Sequence, residues 1–281
     1  RRAPTPQHPR LTRKRRAMSR FSANSGRHFC VEVEEDGGVL RKRKFRSRAH
    51  ANPLADPHFE YPVDPDSVDW SQVYQAYCKT EGGKMDRPID FADIGCGFGG
   101  LLLQLASKFP DKVSIGIEIR EKVSSYVDQK IRGLRQEHEG EYQNVACIRT
   151  NAMKCITNYF PKASLEKLFF LFADPHFKAK NHRRRVINRN SLSEYAYILK
   201  EGGILYVITD VKELHEWQIK HLDDHELFEK ISEDELKDDL CFSLIQTSSE
   251  ESIKVERNAG SKFSAAYRRL PLAAALAKMS E

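Results

Sequence analysis

From residue 88 onward the chain alternates short apolar runs with longer stretches whose apolar positions recur every three or four residues. The run 88–95 (PIDFADIG) predicts a short buried strand, 100–109 (GLLLQLASKF) a helix and 113–119 (VSIGIEI) a second strand. Over 120–138, Val123, Tyr126, Val127, Ile131 and Leu134 fall on one face of a long helix. Residues 142–150 predict a third strand, 165–174 a fourth, and 202–210 a fifth after a helix at 191–200. Strand and helix in alternation imply a parallel sheet with helices on both faces. Ligands of such sheets bind beyond the carboxyl ends of the strands, near the point where strand order reverses.

The first 45 residues show no such periodicity. They carry two cation clusters, 12–16 (TRKRR) and 41–44 (RKRK), among Pro, Ser and Gly, and read as a disordered basic tail ahead of a folded domain over 46–281. The clusters suit nuclear import or weak nucleic-acid contact, and the bland reading is a solvated tail with no specific role. Nucleus, with cytoplasm as a second compartment, is the expected localisation. An organelle transit peptide over 1–29 fits less well, because residues 13–16 are bunched instead of spread over a helical face. Starting on Arg1, with Met18 as its first methionine, the sequence reads as a fragment or a processed form.

Composition narrows the class. At 281 residues, 40% hydrophobic and 31% charged, the chain can bury one good-sized core. No run approaches the roughly 18 to 20 apolar residues of a membrane span, so a soluble protein is expected. Cys30, Cys78, Cys96, Cys147, Cys155 and Cys241 make no C-x-x-C pair and have no partner histidines at zinc spacing. That argues for a reducing compartment and against a disulfide framework or a metal. The net charge of +6 is uneven: residues 1–50 hold 15 Lys+Arg against 4 Asp+Glu, which leaves the remainder mildly acidic. Polyanion binding by the folded part must therefore come from local patches.

Polar residues collect at the predicted strand ends. After the first strand comes 95–100 (GCGFGG), where Gly95 and Gly97 let the backbone turn tightly against a ligand at a helix N-terminus. Glu118, 23 residues beyond Gly95, ends the second strand where a carboxylate can accept both hydroxyls of an adenosine ribose. Asn151 and Ala152 follow the third strand and suit the edge and face of an adenine. The fourth strand delivers Asp174, then Pro175, His176 and a basic block. The glycines also satisfy G-x-G-x-x-G, so a nicotinamide-dependent oxidoreductase stays open. With an N-terminal extension and chemistry in the loop after the fourth strand, the set fits an S-adenosyl-L-methionine-dependent methyltransferase better.

The segments 46–56 (RSRAHANPLAD), 91–102 (FADIGCGFGGLL), 116–120 (GIEIR), 149–154 (RTNAMK), 170–185 (FLFADPHFKAKNHRRR), 194–210 and 247–260 (TSSEESIKVERNAG) together resemble the eukaryotic tRNA (guanine-N7)-methyltransferase catalytic subunit. The resemblance runs from about residue 42 to 269. It implies an α/β, Rossmann-like class I methyltransferase fold with a mostly parallel, doubly wound sheet. It implies S-adenosyl-L-methionine held by Gly95, Gly97, Glu118, Ile119, Arg120, Asn151, Ala152 and Leu171, with Ser249 and Glu251 reaching the cofactor or the target guanosine. It places the catalytic aspartate on Asp174. It further implies a tRNA substrate methylated at a variable-loop guanosine, S-adenosyl-L-homocysteine as product, and a noncatalytic WD-repeat propeller partner, with segments 181–200 and 210–222, and Trp217 as an anchor, as candidate contacts.

Three positions depart from the family pattern. Ala173 stands where proline is usual, which gives up a fixed φ and adds an N–H. Ser249 stands where threonine is common and keeps the hydroxyl. Ala259 replaces a more usual glycine, which matters only if that position needs a positive φ. Guanine N7 carries a lone pair and no proton, so the reaction needs alignment more than a general base. His176 is then expected to pack the loop or touch RNA. Lys178, Lys180, His182, Arg183, Arg184 and Arg185 read either as a solvated helix start or as a grip on tRNA phosphates, and their place beside Asp174 favours the grip. Ser19, Ser22, Ser25 and Ser47, near the cation clusters, are candidate phosphorylation sites. A noncatalytic scaffold on the same fold, or a methyltransferase for another RNA guanine, remain the alternatives.

Overall fold

The computed structural model describes residues 40–45, 47, 51–54, 59–79 and 83–279. Five parallel strands form its centre: β1 (Phe91–Ile94), β2 (Ser114–Glu118), β3 (Val145–Arg149), β4 (Leu165–Leu171) and β5 (Leu199–Thr209). Crossovers run through α1 (Gly100–Lys108), α2 (Glu121–Glu137) and α3 (Arg189–Ile198). The chain then adds α4 (Lys212–Asp223), β6 (Phe228–Lys230), α5 (Glu233–Leu236), α6 (Leu240–Thr247), α7 (Glu250–Arg257), β7 (Phe263–Arg269) and α8 (Leu272–Met279). Strand order is β3-β2-β1-β4-β5-β7-β6, with β7 antiparallel to both of its neighbours. The order reverses between β1 and β4, so the carboxyl ends of those two strands flank the crevice where this topology places a ligand.

Alternation along the strands loads both faces of the sheet. Phe91, Phe169 and Tyr206 point to one side, where they meet Leu101 and Leu105 of α1 and Leu244 and Ile245 of α6. Phe169 stacks on Tyr206 at 4.9 Å between ring centres, and Phe91 meets Phe169 edge-on. Such ring pairs add about 0.5–1.5 kcal/mol each beyond their area. Ala92, Leu168, Phe170, Leu205 and Val207 face the other way, toward Leu192 and Tyr195 of α3. On α2, Val123, Tyr126, Val127 and Ile131 are buried as the periodicity predicted.

Three differences from the sequence reading have physical causes. The fourth strand ends at Leu171 rather than 174, because Phe172, whose N–H makes the last bond to β5 at the Ile208 carbonyl (2.8 Å), turns to a φ of 49°. Strands β6 and β7 were not foreseen: β6 has three residues, and Ala265 and Ala266 at the centre of β7 give no β-branched signal. The tail does not extend to residue 45. Lys42–Phe45 form a 3-10 turn whose Phe45 is buried edge-on against Tyr126 at 5.4 Å. The tail reading over 1–39, with Ser19, Ser22 and Ser25, lies outside the described residues.

The segment before the sheet belongs to the core. Val68, Trp70, Val73 and Tyr74 are buried against it, and the Tyr74 hydroxyl donates to the Ser114 carbonyl at 2.6 Å. Elsewhere in the same segment, the Pro53 and Pro62 carbonyls accept from Asn151 and Asn158 at 2.6 and 2.7 Å. The extension is thereby tied to the carboxyl-end side of β3.

Candidate active site

A cavity of about 430 Å³ opens at the carboxyl ends of β1 through β5. Gly95, Cys96, Gly97, Glu118, Ile119, Arg120, Asn151, Ala152, Leu171, Asp174, Ser249 and Glu251 all line it, so the folded chain brings together every residue expected to hold the cofactor. The Gly95 and Cys96 N–H groups both donate to the Ile117 carbonyl, which folds the glycine loop over β2. Gly95 has a φ of 75°, and a Cβ added there would meet nothing within 4 Å, so the loop leaves room for a ligand on that side. Gly100 serves a different end. A Cβ there would collide with the Ser248 carbonyl, so its absence lets the N-terminus of α7, with Ser249 and Glu251, close on the N-terminus of α1.

Two carboxylates dominate the floor. Glu118 is buried, and Arg120 holds it through Nε to Oε1 at 3.0 Å and Nη2 to Oε2 at 2.8 Å. Those hydrogen bonds raise the Arg120 pKa. Asp93, at the end of β1, is 2% exposed, and burial, then the charges of Glu118 and Glu250, push its pKa up to about 8. Its Oδ1 finds no hydrogen-bond donor among the described residues. A buried acceptor without a partner is costly unless a ligand supplies one. Asp93 was missed in the sequence; the signal was a lone acid inside an apolar strand, one residue short of the strand's end at the glycine loop.

At the end of β3 the structure revises one detail. Asn151 gives its side-chain amide to the Pro53 carbonyl at 2.6 Å, while its Oδ1 accepts from the Met153 N–H at 3.0 Å. Its side chain therefore fixes the turn and the extension, whereas the sequence reading had aimed it at an adenine edge. The adjacent Ala152 packs against the core beside it.

Asp174 lies between two residues of positive φ, Phe172 at 49° and His176 at 44°. Its Oδ1 accepts from the His176 N–H at 3.2 Å, and the His176 Nδ1 lies 3.7 Å from Oδ2. His176 thus packs the loop, one of its two expected roles. Ala173 leaves the loop without a proline at that position. The loop is held instead by Phe172 N–H on Ile208 O, His176 N–H on Asp174, and Arg185 Nε on Pro175 O at 2.8 Å.

The cation block that follows does not act as one patch. Lys178, Lys180 and Arg183 are exposed. Arg184 is half-buried and lines the cavity. Arg185 is 2% exposed, with its guanidinium against Glu213, His182 and the Trp217 ring, so it is not open to phosphate contact as expected. Trp217 is correspondingly half-buried and donates to the Ile187 carbonyl at 2.7 Å, which removes it as an exposed anchor.

On the far wall Ser249 caps α7, its Oγ accepting from the Ser252 N–H at 3.0 Å. Glu250 pairs with Lys42, which also sits 5.2 Å over the Phe98 ring, so the packed turn 42–45 braces this wall from outside. A second cavity of about 180 Å³, lined by Asp210, Glu251, Lys254, Val255, Asn258, Gly260 and Ser261, shares Asp210, Glu251 and Lys254 with the first. Asp210 and Lys254 were not singled out in the sequence, because a strand-end acid and a helical lysine carry no spacing signal of their own.

This donor set fits S-adenosyl-L-methionine. Glu118 keeps a lone pair on Oε2 for a ribose hydroxyl, the open side of Gly95 admits a chain, and Asp93 Oδ1, with no donor among the described residues, suits a positive charge. Among the described residues no three His, Cys, Asp or Glu gather as metal ligands, and no helix is long and apolar enough to cross a membrane.

Comparison with known proteins converges on the same chemistry. The family model described as "Putative methyltransferase" matches residues 87–265. The tRNA (guanine-N(7)-)-methyltransferase of Aedes aegypti is 53% identical over 252 residues, covering 85% of this chain and all of that protein. The enzymes of the same name from Caenorhabditis elegans and Zea mays are 53% and 52% identical, covering 83% and 84% of this chain and 90% and 95% of their own. With about half of the aligned residues identical to these enzymes over nearly their full length, the chain belongs to the tRNA (guanine-N7)-methyltransferase family.

Proposed function

We propose that this protein transfers a methyl group from S-adenosyl-L-methionine to N7 of a guanosine in the variable loop of tRNA, leaving S-adenosyl-L-homocysteine. The observation that carries the reading is the position of Asp174, which lines the cavity in a braced loop that runs on into the exposed cations Lys178, Lys180 and Arg183.

S-Adenosyl-L-methionine, when bound, supplies an electrophilic methyl on a positively charged sulfur. Glu118, Arg120, Ala152 and Leu171 bind and orient it, and Asp93 faces its cationic end. Guanine N7 presents a lone pair and carries no proton, so no side chain has to act as a base. What the protein supplies is alignment and exclusion of water. Asp174 accepts a hydrogen bond from the guanine edge, and its fixed negative charge complements the positive charge that grows on the purine. The smaller cavity, with Glu251, Asp210 and Asn258, offers donors and acceptors for that base. Ser249 and Glu251 sit where the two cavities join.

A guanine stacked in folded tRNA hides its N7, so the base must be drawn out, at a cost of roughly a few kcal/mol. Lys178, Lys180 and Arg183 hold phosphates beside the opening and position the RNA without reading its sequence. One domain has limited surface for an L-shaped RNA, which supports a WD-repeat propeller as second subunit. Within 181–200 the large apolar group left open to it is Tyr197, 46% exposed. The cation clusters at 12–16 and 41–44 support a nuclear protein. A fluorescent fusion of the unaltered chain that is excluded from the nucleus would overturn that assignment, and one that stays nuclear after both clusters become alanine would take the signal away from them.

The test is to incubate the protein, alone and with a propeller subunit, with labelled S-adenosyl-L-methionine and unmodified tRNA, then map N7-methylguanosine by reductive cleavage. Label confined to one variable-loop guanosine is expected. A folded protein that binds the cofactor and labels no tRNA in either condition would leave the scaffold reading in its place.

A further inference from the structure

We infer that Arg185, the last cation of the basic block, is a positioning residue that sets the backbone of Asp174; the inference rests on the methyltransferase reading of the site. Its guanidinium is engaged inside the protein. Nε donates to the Pro175 carbonyl at 2.8 Å, Nη2 donates to Glu213 Oε1 at 2.6 Å and lies 3.0 Å from His182 Nε2, and the group rests 4.8 Å over the Trp217 ring. The Arg185 N–H also closes the turn by donating to the His182 carbonyl at 2.9 Å.

The bond to Pro175 bears on catalysis. The proline ring fixes φ at 175, so ψ is the one soft backbone torsion left there. That torsion carries the carbonyl that Arg185 grips and the His176 N–H that donates to Asp174 Oδ1 at 3.2 Å. Holding the carbonyl therefore holds the donor that orients the Asp174 carboxylate. The loop 174–185 is tied into a ring, with Lys178, Lys180 and Arg183 on its outside and Arg185 as its clasp. Phosphates bound on the outside of the ring pull on a segment whose two ends are pinned together next to Asp174.

Glu213 anchors the clasp. It is 54% exposed, and its hydrogen bond with the buried Arg185 lowers its pKa. Trp217, on the same helix four residues on, stacks under the guanidinium and is itself held by its bond to the Ile187 carbonyl. A lysine at 185 would keep the charge and lose the planar fork that reaches two acceptors on different elements.

The experiment uses the full chain, with its partner subunit if turnover requires one, and compares Arg185→Ala, Arg185→Lys, Glu213→Gln and Arg183→Ala. Arg185→Ala is expected to lower kcat at saturating tRNA and cofactor by on the order of tenfold or more. Its tRNA affinity and salt dependence should match the unaltered protein, and added guanidinium ion should restore part of the rate. Arg185→Lys should recover little, Glu213→Gln should lose kcat in the same direction to a smaller extent, and Arg183→Ala should change tRNA affinity instead. Arg185→Ala that lowers tRNA affinity and flattens the salt dependence would make Arg185 a phosphate ligand and overturn the inference. So would unchanged kcat in Glu213→Gln and Arg185→Lys, two variants that keep a side chain of similar size should the alanine fail to fold. An unaltered protein that methylates no tRNA would instead bring down the reading of the site, and this inference with it.

Discussion

Arg120 grips the carboxylate of Glu118 with two nitrogens, at 3.0 and 2.8 Å, while its backbone N–H donates to the same carboxylate at 2.8 Å. The chain thereby aims a buried acid at the cavity from the end of β2 and supplies the counter-charge that burial demands. Of the roughly four lone-pair sites of a carboxylate, Arg120 fills three, two on Oε1 and one on Oε2, which leaves one on Oε2 for a ribose hydroxyl.

Glu118→Gln tests this arrangement. The amide presents an NH₂ where an acceptor is needed, and it leaves Arg120 without its charge partner. Cofactor affinity is expected to fall by roughly tenfold to a hundredfold, the worth of one charged hydrogen bond or more. Calorimetric titration with S-adenosyl-L-methionine measures it, and an affinity within about twofold of the unaltered protein would remove Glu118 from the ribose site. Melting temperature should fall too, because a half-buried guanidinium is left unpaired.

Asp93 leads to a prediction about pH. Its pKa is raised to about 8 from an ordinary 3.8. Between those values the folded state keeps the proton that the unfolded state has lost, so stability falls as pH rises from about 4 to about 8 and levels off above. Each pH unit in that window costs at most about 1.4 kcal/mol. Asp93→Asn removes the titration, so its melting temperature should exceed that of the unaltered protein by a margin that widens as pH rises through that window. A cationic ligand beside Asp93 favours the charged form, so cofactor affinity in the unaltered protein should rise with pH toward 8 and that rise should vanish in the variant. Thermal melts and titrations across the window check both, and parallel profiles in the two proteins would contradict them.

The exposed cations make a separate case. Lys178, Lys180 and Arg183 reach solvent beside the Asp174 loop. Replacing all three with alanine should weaken binding to every tRNA by a similar factor, since phosphate contacts carry no sequence information. The slope of log affinity against log salt should fall by about one for each phosphate-binding cation removed. Filter binding between roughly 50 and 200 mM salt, a range over which phosphate pairing weakens steeply, reads the slope directly. An unaltered slope would make this face a solvated one.

What was legible in the sequence follows from how each feature is encoded. Strands β1 through β5 and the face of α2 were readable because burial on both sides of a parallel sheet forces apolar runs, and a single buried helix face forces a 3.6 period. Gly95, Glu118 and Ala152 were readable as lining one cavity because they stand at strand ends next to a glycine turn. Arg185 was misread as a phosphate ligand because a run of like residues hides which member turns inward; only the return of the chain to Pro175 and the approach of α4 with Glu213 decide it. Asn151 was assigned by residue type, and its commitment to Pro53 depends on a partner 98 positions away in the chain. Phe45 was placed in the tail for its basic neighbours, though one aromatic docked on Tyr126 is enough to bring the turn onto the fold.

Ala259 closes α7 in a conformation that suits glycine, with a φ of 51° and its N–H on the Glu256 carbonyl at 3.0 Å. The substitution noted against the family pattern therefore has a cost, since a left-handed alanine is disfavoured by roughly 1–2 kcal/mol. Ala259→Gly removes that strain. It also frees the unfolded chain, which takes back about 0.4–1 kcal/mol. The difference leaves a net gain of about 0.5–1 kcal/mol, seen as a melting temperature higher by roughly 1–3 °C for a chain of this size. Ser249 and Glu251 sit at the other end of the helix, so cofactor affinity should not move with it. A lower melting temperature would mean that the alanine methyl packs with a gain larger than the strain it imposes.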